Sequence, residues 1–272
     1  MTAPAHRWNA EDYAANSSAQ YEWGRELLER IPLQGHEHIL DLGCGDGKLT
    51  ALLAARVPRG TVTGIDSSTD MLALAQRHWA GGNLSFRPMD MQVLGFEAAF
   101  DVVYSNSAVH WAADHPAILA GVHRALRPGG RLLMQAPGAG NCAGFVAAAD
   151  SVRREERWRE YFRDFRFPWC FVTADEYRQW LPAAGLVVDY LKPMNLDMCH
   201  ADRAALAGWF RSTWMPYLDR VPAPQRDAFA EAVVEAYLAR WPQDRDGSTH
   251  VAMVRLEVAA HRQEASVATM AG

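Results

Sequence analysis

The stretch from Ile39 to Arg56 constrains the fold more than any other part of the sequence, because it joins a strand, a tight glycine turn and a helix. The apolar pair Ile39-Leu40 leads into Asp41-Leu42-Gly43-Cys44-Gly45-Asp46-Gly47, and Lys48 to Arg56 has a helix-like pattern. Alternate glycines let the backbone turn sharply and approach a ligand where any Cβ would collide. We therefore predict a β-α unit whose turn binds a small molecule.

Two carboxylates in this turn indicate the charge of that ligand. Asp41 stands at the end of the strand and can accept hydrogen bonds from an ammonium group, and Asp46 lies within the turn itself. In dinucleotide-binding proteins the fingerprint G-x-G-x-x-G instead rests a pyrophosphate on the helix N-terminus. An anion gains nothing from two neighbouring carboxylates, so a cationic or zwitterionic ligand fits better.

The next two strands add acidic residues at the same edge. Thr61-Val62-Thr63-Gly64-Ile65 alternates and is β-branched, which predicts a second strand that ends at Asp66. A carboxylate there can accept hydrogen bonds from both hydroxyls of a ribose. Asp90 follows Leu84-Ser85-Phe86, a predicted third strand, where the amino group of an adenine can reach it. The pattern favours recognition of adenosine without recognition of phosphate.

Two more strands complete the central pattern. Phe100-Asp101-Val102-Val103-Tyr104 predicts a fourth strand that opens onto Ser105 to Trp111. Arg127-Pro128-Gly129-Gly130-Arg131 predicts a turn into a fifth strand, Leu132-Leu133-Met134-Gln135. In order along the chain, the motifs D-L-G-C-G-D-G, G-I-D-S-S, M-D, F-D-V-V-Y-S-N and L-R-P-G-G-R resemble the class I S-adenosylmethionine-dependent methyltransferases, of the methyltransferase type 11 kind.

This resemblance covers roughly Ile39 to Gln135, and it implies a Rossmann-like α/β fold with a seven-stranded sheet whose last strand is antiparallel. Outside that core, Trp8 to Glu29 and Trp209 to Arg262 resemble trans-aconitate 2-methyltransferases and, more distantly, juvenile hormone acid methyltransferases. The implied cofactor is S-adenosylmethionine, with S-adenosylhomocysteine as its product. The expected cofactor contacts are Asp41, Gly43, Cys44, Gly45, Asp46, Gly47, Asp66, Ser67, Met71, Asp90, Met91, Ser105 and Asn106, together with Trp8, Tyr13 and Trp23 of the N-terminal segment.

The periodicity divides the chain into four parts. Residues 1–36 contain an amphipathic helix, Ser17 to Glu29, that can close over the cofactor, and 37–136 form the cofactor-binding core. Residues 137–262 hold two insertions and the last two strands, with helices predicted over Glu155 to Phe165, over Thr173 to Leu181 and twice within Ala201 to Trp241. We expect these insertions to form a helical cap, and residues 263–272 to be a disordered tail.

Composition and charge exclude several other classes of function. No apolar run of the 272 residues approaches the ~18 needed for a membrane span, and the first residues lack the apolar region of a signal peptide. A net charge of -5 without a basic cluster argues against nucleic acid. The four cysteines are far apart, which disfavours zinc and disulfides. We expect a cytoplasmic monomer or homodimer that acts on a small molecule without a metal, a membrane or a nucleic acid.

Aromatic residues concentrate in the two insertions. One interpretation is that these residues pack the helices onto the sheet, because aromatic side chains supply much of the burial in a core. The other is a dry aromatic cap over the sulfonium, because methyl transfer to an anion loses charge in the transition state. On the second interpretation the candidate substrate contacts are His110, Trp111, Gln135, Trp169, Phe171, Trp209 and Trp214. Arg153, Arg154, Arg157 and Arg211 can bind a carboxylate, or can form the solvated faces of helices.

His110 follows the fourth strand, where the methyl group of the cofactor is expected to point. It can act as a general base or position the nucleophile, or it can be a partly buried structural imidazole. The resemblance implies O-methylation of a carboxylic acid, with N-, C- or phenol methylation in secondary metabolism as the alternative. A nicotinamide-dependent oxidoreductase and a non-catalytic cofactor-binding module are the hypotheses from other classes.

Overall fold

The computed structural model describes residues 18–264, and this part of the chain contains a mixed sheet of seven strands in the order β3-β2-β1-β4-β5-β7-β6. The strands are β1 (His38–Leu42), β2 (Thr61–Asp66), β3 (Leu84–Pro88), β4 (Phe100–Asn106), β5 (Leu126–Pro137), β6 (Leu186–His200) and β7 (Thr249–Arg262). Strands β1 to β5 pair in parallel, and β7 runs antiparallel to both β5 and β6. The predicted fold, with its antiparallel last strand, is confirmed.

Helices flank the sheet and form the cap. They are α1 (Ser18–Glu29), α2 (Lys48–Arg56), α3 (Thr69–Trp79), α4 (His115–Ala125), α5 (Ala143–Val152), α6 (Ala174–Ala183), α7 (Arg203–Thr213), α8 (Met215–Leu218) and α9 (Arg226–Leu238). The helix predicted over Glu155 to Phe165 is wrong, because this segment contains only a 3₁₀ turn at Arg159–Phe162. Its charged residues are exposed while Trp158 and Phe162 are buried, so packing of those two rings decides the path of the chain.

The fifth strand also begins earlier than predicted. It pairs with β4 from Leu126 onward, and the pairing shifts between Phe100 and Val102, so the predicted turn is a bulge within the strand. Gly129 supplies the positive φ of 76° that this bulge requires.

The register of the parallel strands gathers their carboxyl ends at one edge. Asp41 of β1 is the Cα partner of Gly64 in β2 and of Tyr104 in β4. The turn after β1 is fastened to β2, because the N–H groups of Gly43 and Cys44 both donate to the carbonyl of Ile65. In open α/β sheets this edge is where ligands bind.

The buried apolar residues of the described part form three clusters. One covers the sheet face under α4 and α6, and a second covers the opposite face under α1, α2 and α3. The third lies in the cap, where α5, α7, α8 and α9 pack together and against the ends of β6 and β7. The cap therefore has a hydrophobic core of its own.

Candidate functional site

Asp41 lies at the bottom of the site, at the end of β1. Its side chain is 3% exposed, and its Oδ2 accepts a hydrogen bond of 2.7 Å from the hydroxyl of Thr50 in α2. Burial raises the pKa of Asp41 to about 7, against the opposing effect of the Thr50 hydrogen bond. Such a carboxyl is poised to ionise when a cation approaches.

Asp66 ties the glycine turn to the end of β2. Its Oδ2 accepts from the N–H of Gly45 at 2.9 Å, and its Oδ1 accepts from the N–H of Ser68 at 2.8 Å. Burial raises the pKa of Asp66 as well. Each carboxylate oxygen keeps lone-pair capacity for a further donor, which is what recognition of two hydroxyls needs.

The three glycines of the turn differ in what a Cβ at each position would contact. A Cβ on Gly43, at φ 72°, would lie 2.2 Å from the Cβ of Ala108, so this glycine allows the turn to pack against the segment after β4. A Cβ on Gly45, at φ 53°, would meet only the methyl of Met71 within 4 Å. Gly47 packs against Phe86 and Ala75. Gly45 is therefore the glycine whose Cβ position faces open space.

A cleft opens above this turn. It is lined by Tyr21, Asp41, Gly43, Cys44, Gly45, Asp46, Lys48, Leu49, Tyr104 and Asn106. Six of these residues were among the sequence-predicted cofactor contacts. The other four were not predicted, although their positions gave a signal: Tyr21 is on the N-terminal helix, Lys48 and Leu49 are on the helix after the turn, and Tyr104 is on the fourth strand.

Other predicted cofactor contacts lie around the cleft. The methyl of Met91 would be 3.3 Å from a Cβ on Gly43, which brings it beside the turn. Asp90 accepts from the N–H of Gln92 and caps a 3₁₀ turn, and Ser67 is exposed just after β2. The hydroxyl of Ser105 is fully buried and donates to the carbonyl of Leu42.

Trp8 and Tyr13 lie outside the described residues, as does the part of the predicted tail after Glu264. Their predicted roles stay predictions.

Helix α1 covers the carboxyl edge of β4 and β5. The hydroxyl of Tyr104 donates to the carbonyl of Gly24 at 2.8 Å, and the amide of Gln135 donates to the carbonyl of Trp23 at 2.7 Å. The same amide of Gln135 donates to the Oδ1 of Asn106 at 2.7 Å. The helix is thus fastened beside the cleft by side chains of two neighbouring strands.

His110 is buried in a 3₁₀ turn just after β4. Burial lowers the pKa of His110 to about 3, and the nearby His115 adds to this effect. Its Nδ1 has no hydrogen-bond partner among the described residues. Its ring lies 5.5 Å from the ring of Trp111 and 6.1 Å from that of Phe171. The imidazole is therefore neutral at pH 7 and in an aromatic environment.

The aromatic residues predicted to contact the substrate form one continuous wall. The ring of Trp169 lies 5.6 Å from Trp111, 6.0 Å from Phe171 and 5.0 Å from Trp214. Trp209 continues the wall at 5.8 Å from Trp214. Gln135 is the predicted member that does not belong to it, because its amide faces α1 and Asn106.

The arginines singled out in the insertions are engaged on the cap. Arg153 and Arg154 pair with Asp150, the guanidinium of Arg157 lies over the ring of Trp158, and Arg211 lies within 4.0 Å of acidic residues of α9. A different arginine, Arg255 of β7, is 9% exposed.

The strand order and the acid-flanked glycine turn define the fold class of the methyltransferases, and comparisons with known proteins agree. Residues 39–130 match the family described as "Methyltransferase domain". A trans-aconitate 2-methyltransferase of Rhodopseudomonas palustris (strain BisB18) is 30% identical, with 93% of this chain and 98% of that protein covered. One from Deinococcus radiodurans is 31% identical, with 94% and 99% covered.

A solved structure shares the fold. Phosphoethanolamine N-methyltransferase 2 of Haemonchus contortus, in complex with phosphomonomethylethanolamine and S-adenosylhomocysteine, matches with a TM-score of 0.61 at 18% identity, over 94% of this chain and 57% of that one. The chain is an S-adenosylmethionine-dependent methyltransferase. It belongs to the family of the trans-aconitate 2-methyltransferases.

Proposed function

We propose that the cleft above the glycine turn holds S-adenosylmethionine, with Asp41 beside its ammonium group and Asp66 on its ribose hydroxyls. The support is a pair of buried carboxyls whose pKa values are raised in the free protein, since a cation and two hydroxyl donors would compensate them. The open space in front of Gly45 leaves room for the ligand. Asp90, Met91 and Met71 would surround the adenine.

Bound S-adenosylmethionine supplies a methyl group attached to a cationic sulfur. The chain's own contribution is to hold the acceptor beside that methyl and to exclude water. Orientation and desolvation together can supply most of the acceleration for such a transfer. The wall from Trp111 to Trp214, closed by the cap, would provide both.

The acceptor that this site supports best is a carboxylic acid, which would be O-methylated. The observation that carries this proposal is the buried, neutral His110 at the end of β4. With its pKa of about 3 it is a poor base, and a carboxylic acid with an unperturbed pKa of ~4 is already ionised at pH 7 and needs no base. The curated relatives named as trans-aconitate 2-methyltransferases over nearly the full chain support the same class of acceptor.

A methylation assay with a panel of acceptors tests the proposal. The purified protein would be incubated with radiolabelled S-adenosylmethionine and with trans-aconitate, crotonate, a phenol or a primary amine. We expect label in an alkali-labile ester of trans-aconitate. Label only in the phenol or the amine would replace the proposal with the alternative chemistry. Cofactor binding without any transfer to this panel would favour a non-catalytic module.

We propose further that the protein is cytoplasmic, as a monomer or a homodimer, and that it acts on a small molecule without engaging a membrane or a nucleic acid. All four cysteines, Cys44, Cys142, Cys170 and Cys199, are free thiols, which suits a reducing compartment. No helix within residues 18–264 is long and apolar enough to cross a membrane. Size-exclusion chromatography with light scattering would measure the oligomeric state.

A further inference from the structure

Gln135 lies near the end of β5 and faces helix α1. It is the Cα partner of Asn106 in β4 and of Glu257 in β7. Side chains alternate along a strand, and the neighbouring Met134 and Ala136 belong to the cluster under α4 and α6. The side chain of Gln135 therefore points to the opposite face, which α1 covers, and the residue is 1% exposed.

The amide of Gln135 uses one nitrogen for two hydrogen bonds. Nε2 donates to the carbonyl of Trp23 in α1 at 2.7 Å and to Oδ1 of Asn106 at 2.7 Å. A backbone carbonyl can only accept, so the bond to Trp23 fixes which end of the Gln135 amide is the nitrogen. That nitrogen in turn requires the oxygen of the Asn106 amide to face it. The orientations of both side-chain amides therefore follow from the position of α1.

The oxygen of the Gln135 amide has no such partner. Oε1 is buried without a hydrogen bond to any of residues 18–264. An unpaired buried acceptor is costly, so the two bonds from Nε2 have to outweigh that cost. The amide at this position therefore acts as a donor.

Helix α1 forms one wall of the cofactor cleft. Its Tyr21 lines the cleft together with Tyr104 and Asn106 of β4. The hydroxyl of Tyr104 donates to the carbonyl of Gly24 at 2.8 Å, next to the carbonyl of Trp23. A carbonyl oxygen has two lone pairs, so both carbonyls can accept these bonds within a helix. The backbone of α1 is thus bonded directly to side chains of two strands, and its docking places Tyr21 in the cleft wall.

The main chain of Gln135 makes a separate contact that a change of side chain leaves in place. Its carbonyl accepts from the N–H of Ser107 at 2.8 Å. Ser107 has a positive φ of 52°, which turns the chain sharply after Asn106. A variant of the Gln135 side chain therefore tests the two amide bonds and keeps this turn bonded to β5.

We propose that Gln135 is a positioning residue of the cofactor site, which holds the Asn106 side chain and docks α1 over the cleft with one amide nitrogen. Because both bonds come from the same atom, the orientation of Asn106 and the docking of α1 depend on each other. Helix α1 is then a lid, and the cofactor leaves the cleft when the bond from Gln135 to Trp23 breaks. This inference rests on the proposed cofactor site, and it adds the residue that controls release of the cofactor.

The test compares Gln135→Met with Gln225→Met in the full-length protein. Gln135→Met removes both donors and the unpaired oxygen, whereas Gln225→Met removes a glutamine that donates to the hydroxyl of Tyr161 in the cap at 3.1 Å. Calorimetry and stopped-flow measurements would give the affinity for S-adenosylhomocysteine and its dissociation rate. We expect Gln135→Met to raise the Kd ~10-fold, mainly through faster dissociation. Gln225→Met would match the wild type.

Amide exchange shows whether the effect passes through α1. In Gln135→Met, exchange should be faster within Ser18–Glu29, both with and without S-adenosylhomocysteine, and unchanged in β1 and β2. Gln135→Leu should reproduce both results, because it also lacks the donors although its shape differs. Unchanged exchange of α1 in both variants would overturn the inference.

A double-mutant cycle with Gly24→Ala tests the coupling between Gln135 and α1. A Cβ on Gly24 would lie 2.3 Å from Cδ1 of Leu49, so this variant disturbs the docking of α1 by another route. If Gln135 acts through α1, Gln135→Met should change the Kd less than ~3-fold in the Gly24→Ala background. A ~10-fold change in both backgrounds would mean that the two positions are independent, and the inference would fail.

The outcomes also separate this inference from the proposed function. A rise in the KM for trans-aconitate in Gln135→Met, with unchanged S-adenosylhomocysteine affinity, would make Gln135 an acceptor contact and overturn the inference alone. Absence of any S-adenosylhomocysteine binding to the wild type would overturn the proposed cofactor site. Binding of S-adenosylhomocysteine that depends on Gln135, without methyl transfer to trans-aconitate, would support the inference and overturn the proposed acceptor.

Discussion

Burial controls the protonation of the groups that surround the cleft. It raises the pKa of the carboxyls of Asp41 and Asp66, and it lowers the pKa of the imidazole of His110. In each case the uncharged form is favoured in the free protein. A cationic ligand would offset this effect of burial on the two carboxyls, because it would pair with their ionised forms.

Asp66→Ala tests the ribose assignment. We expect the variant to bind S-adenosylhomocysteine ~2–3 kcal/mol more weakly, because it removes charge-assisted hydrogen bonds. Asp101→Asn is the matched control, since Asp101 also accepts from a backbone N–H but lies at the opposite end of the sheet, where it pairs with Arg127. Calorimetry that shows equal affinity for Asp66→Ala and the wild type would refute the assignment.

Asp41 makes cofactor binding depend on pH. Its pKa in the free fold, about 7, exceeds its ordinary value of 3.8, so this group lowers the stability of the free protein as pH rises through that window. An ammonium group beside the carboxylate removes this penalty. Below pH 7 binding must release a proton, and affinity for S-adenosylhomocysteine should fall ~10-fold per pH unit. Calorimetry at pH 6 and 7.5 in two buffers measures this release, which Asp41→Asn should abolish.

His110→Asn distinguishes an orienting residue from a base. Because the pKa of His110 is about 3, the imidazole stays neutral from pH 5 to 9. At saturating cofactor, its ionisation should therefore not contribute to the pH dependence of kcat in this range. We expect His110→Asn to lower kcat less than ~10-fold. A loss of ~10³, with wild-type kcat falling as pH drops through 6.5, would indicate general-base catalysis and a phenol or amine acceptor.

At the scale of elements, the fit of helix α1 against the cleft depends on a glycine. A Cβ on Gly24 would lie 2.3 Å from Cδ1 of Leu49 and 2.7 Å from Nδ2 of Asn106, and both side chains line the cleft. Asn106 is held in turn by Gln135. Any substituent at Gly24 therefore has to displace the helix or the cleft wall.

Gly24→Ala should lower the free energy of unfolding by ~1–2 kcal/mol, despite the better helix propensity of alanine, because the interface is overpacked. It should also weaken S-adenosylhomocysteine binding several-fold. Gly208→Ala is the control, since a Cβ at Gly208 in α7 meets nothing within 4 Å and should add ~0.5–1 kcal/mol. Denaturant melts and calorimetry on both variants measure the contrast, and similar behaviour of the two would contradict the close fit of α1.

Sequence patterns predicted those elements whose residue types match the buried or exposed positions that they occupy in the fold. The glycine turn and the acids at the ends of β1 and β2 follow from the motifs between Ile39 and Gln135, and the antiparallel last strand follows from the family resemblance that those motifs carry. The segment after α5 was mispredicted because its path depends on long-range burial of Trp158 and Phe162. The burial of Arg255 was not predicted, because the packing of β7 against β5 and α1 is visible only in three dimensions.

At the scale of the whole molecule, the cap and the sheet are joined by two long strands. β6 and β7 pair from Leu186 and Arg262 to His200 and Thr249, well past the end of β5. Their far ends enter the cap cluster, and the aromatic wall proposed to hold the acceptor runs from Trp111, just after β4, to Trp214 in the cap. The cofactor cleft thus belongs to the sheet and α1, whereas the proposed acceptor site depends on both halves.

Phe145→Ala tests this division. Phe145 is fully buried, and its ring contacts Trp209, Trp214 and Tyr237 in the cap. The variant should lose ~3–5 kcal/mol of stability, with faster amide exchange in α5, α7 and α9. We expect the KM for the acceptor to rise, while S-adenosylhomocysteine affinity stays within ~3-fold.

Leu53 is a fully buried residue of α2, in the cluster under α1, α2 and α3. Leu53→Ala should affect the cofactor more than the acceptor, which is the opposite of Phe145→Ala. Its amide exchange should increase around β1 and α2, and its affinity for S-adenosylhomocysteine should fall. Because both substitutions leave a cavity in an apolar cluster, a general loss of stability cannot produce opposite effects on the two ligands. If both variants lose cofactor affinity equally, the two halves do not divide the binding of cofactor and acceptor.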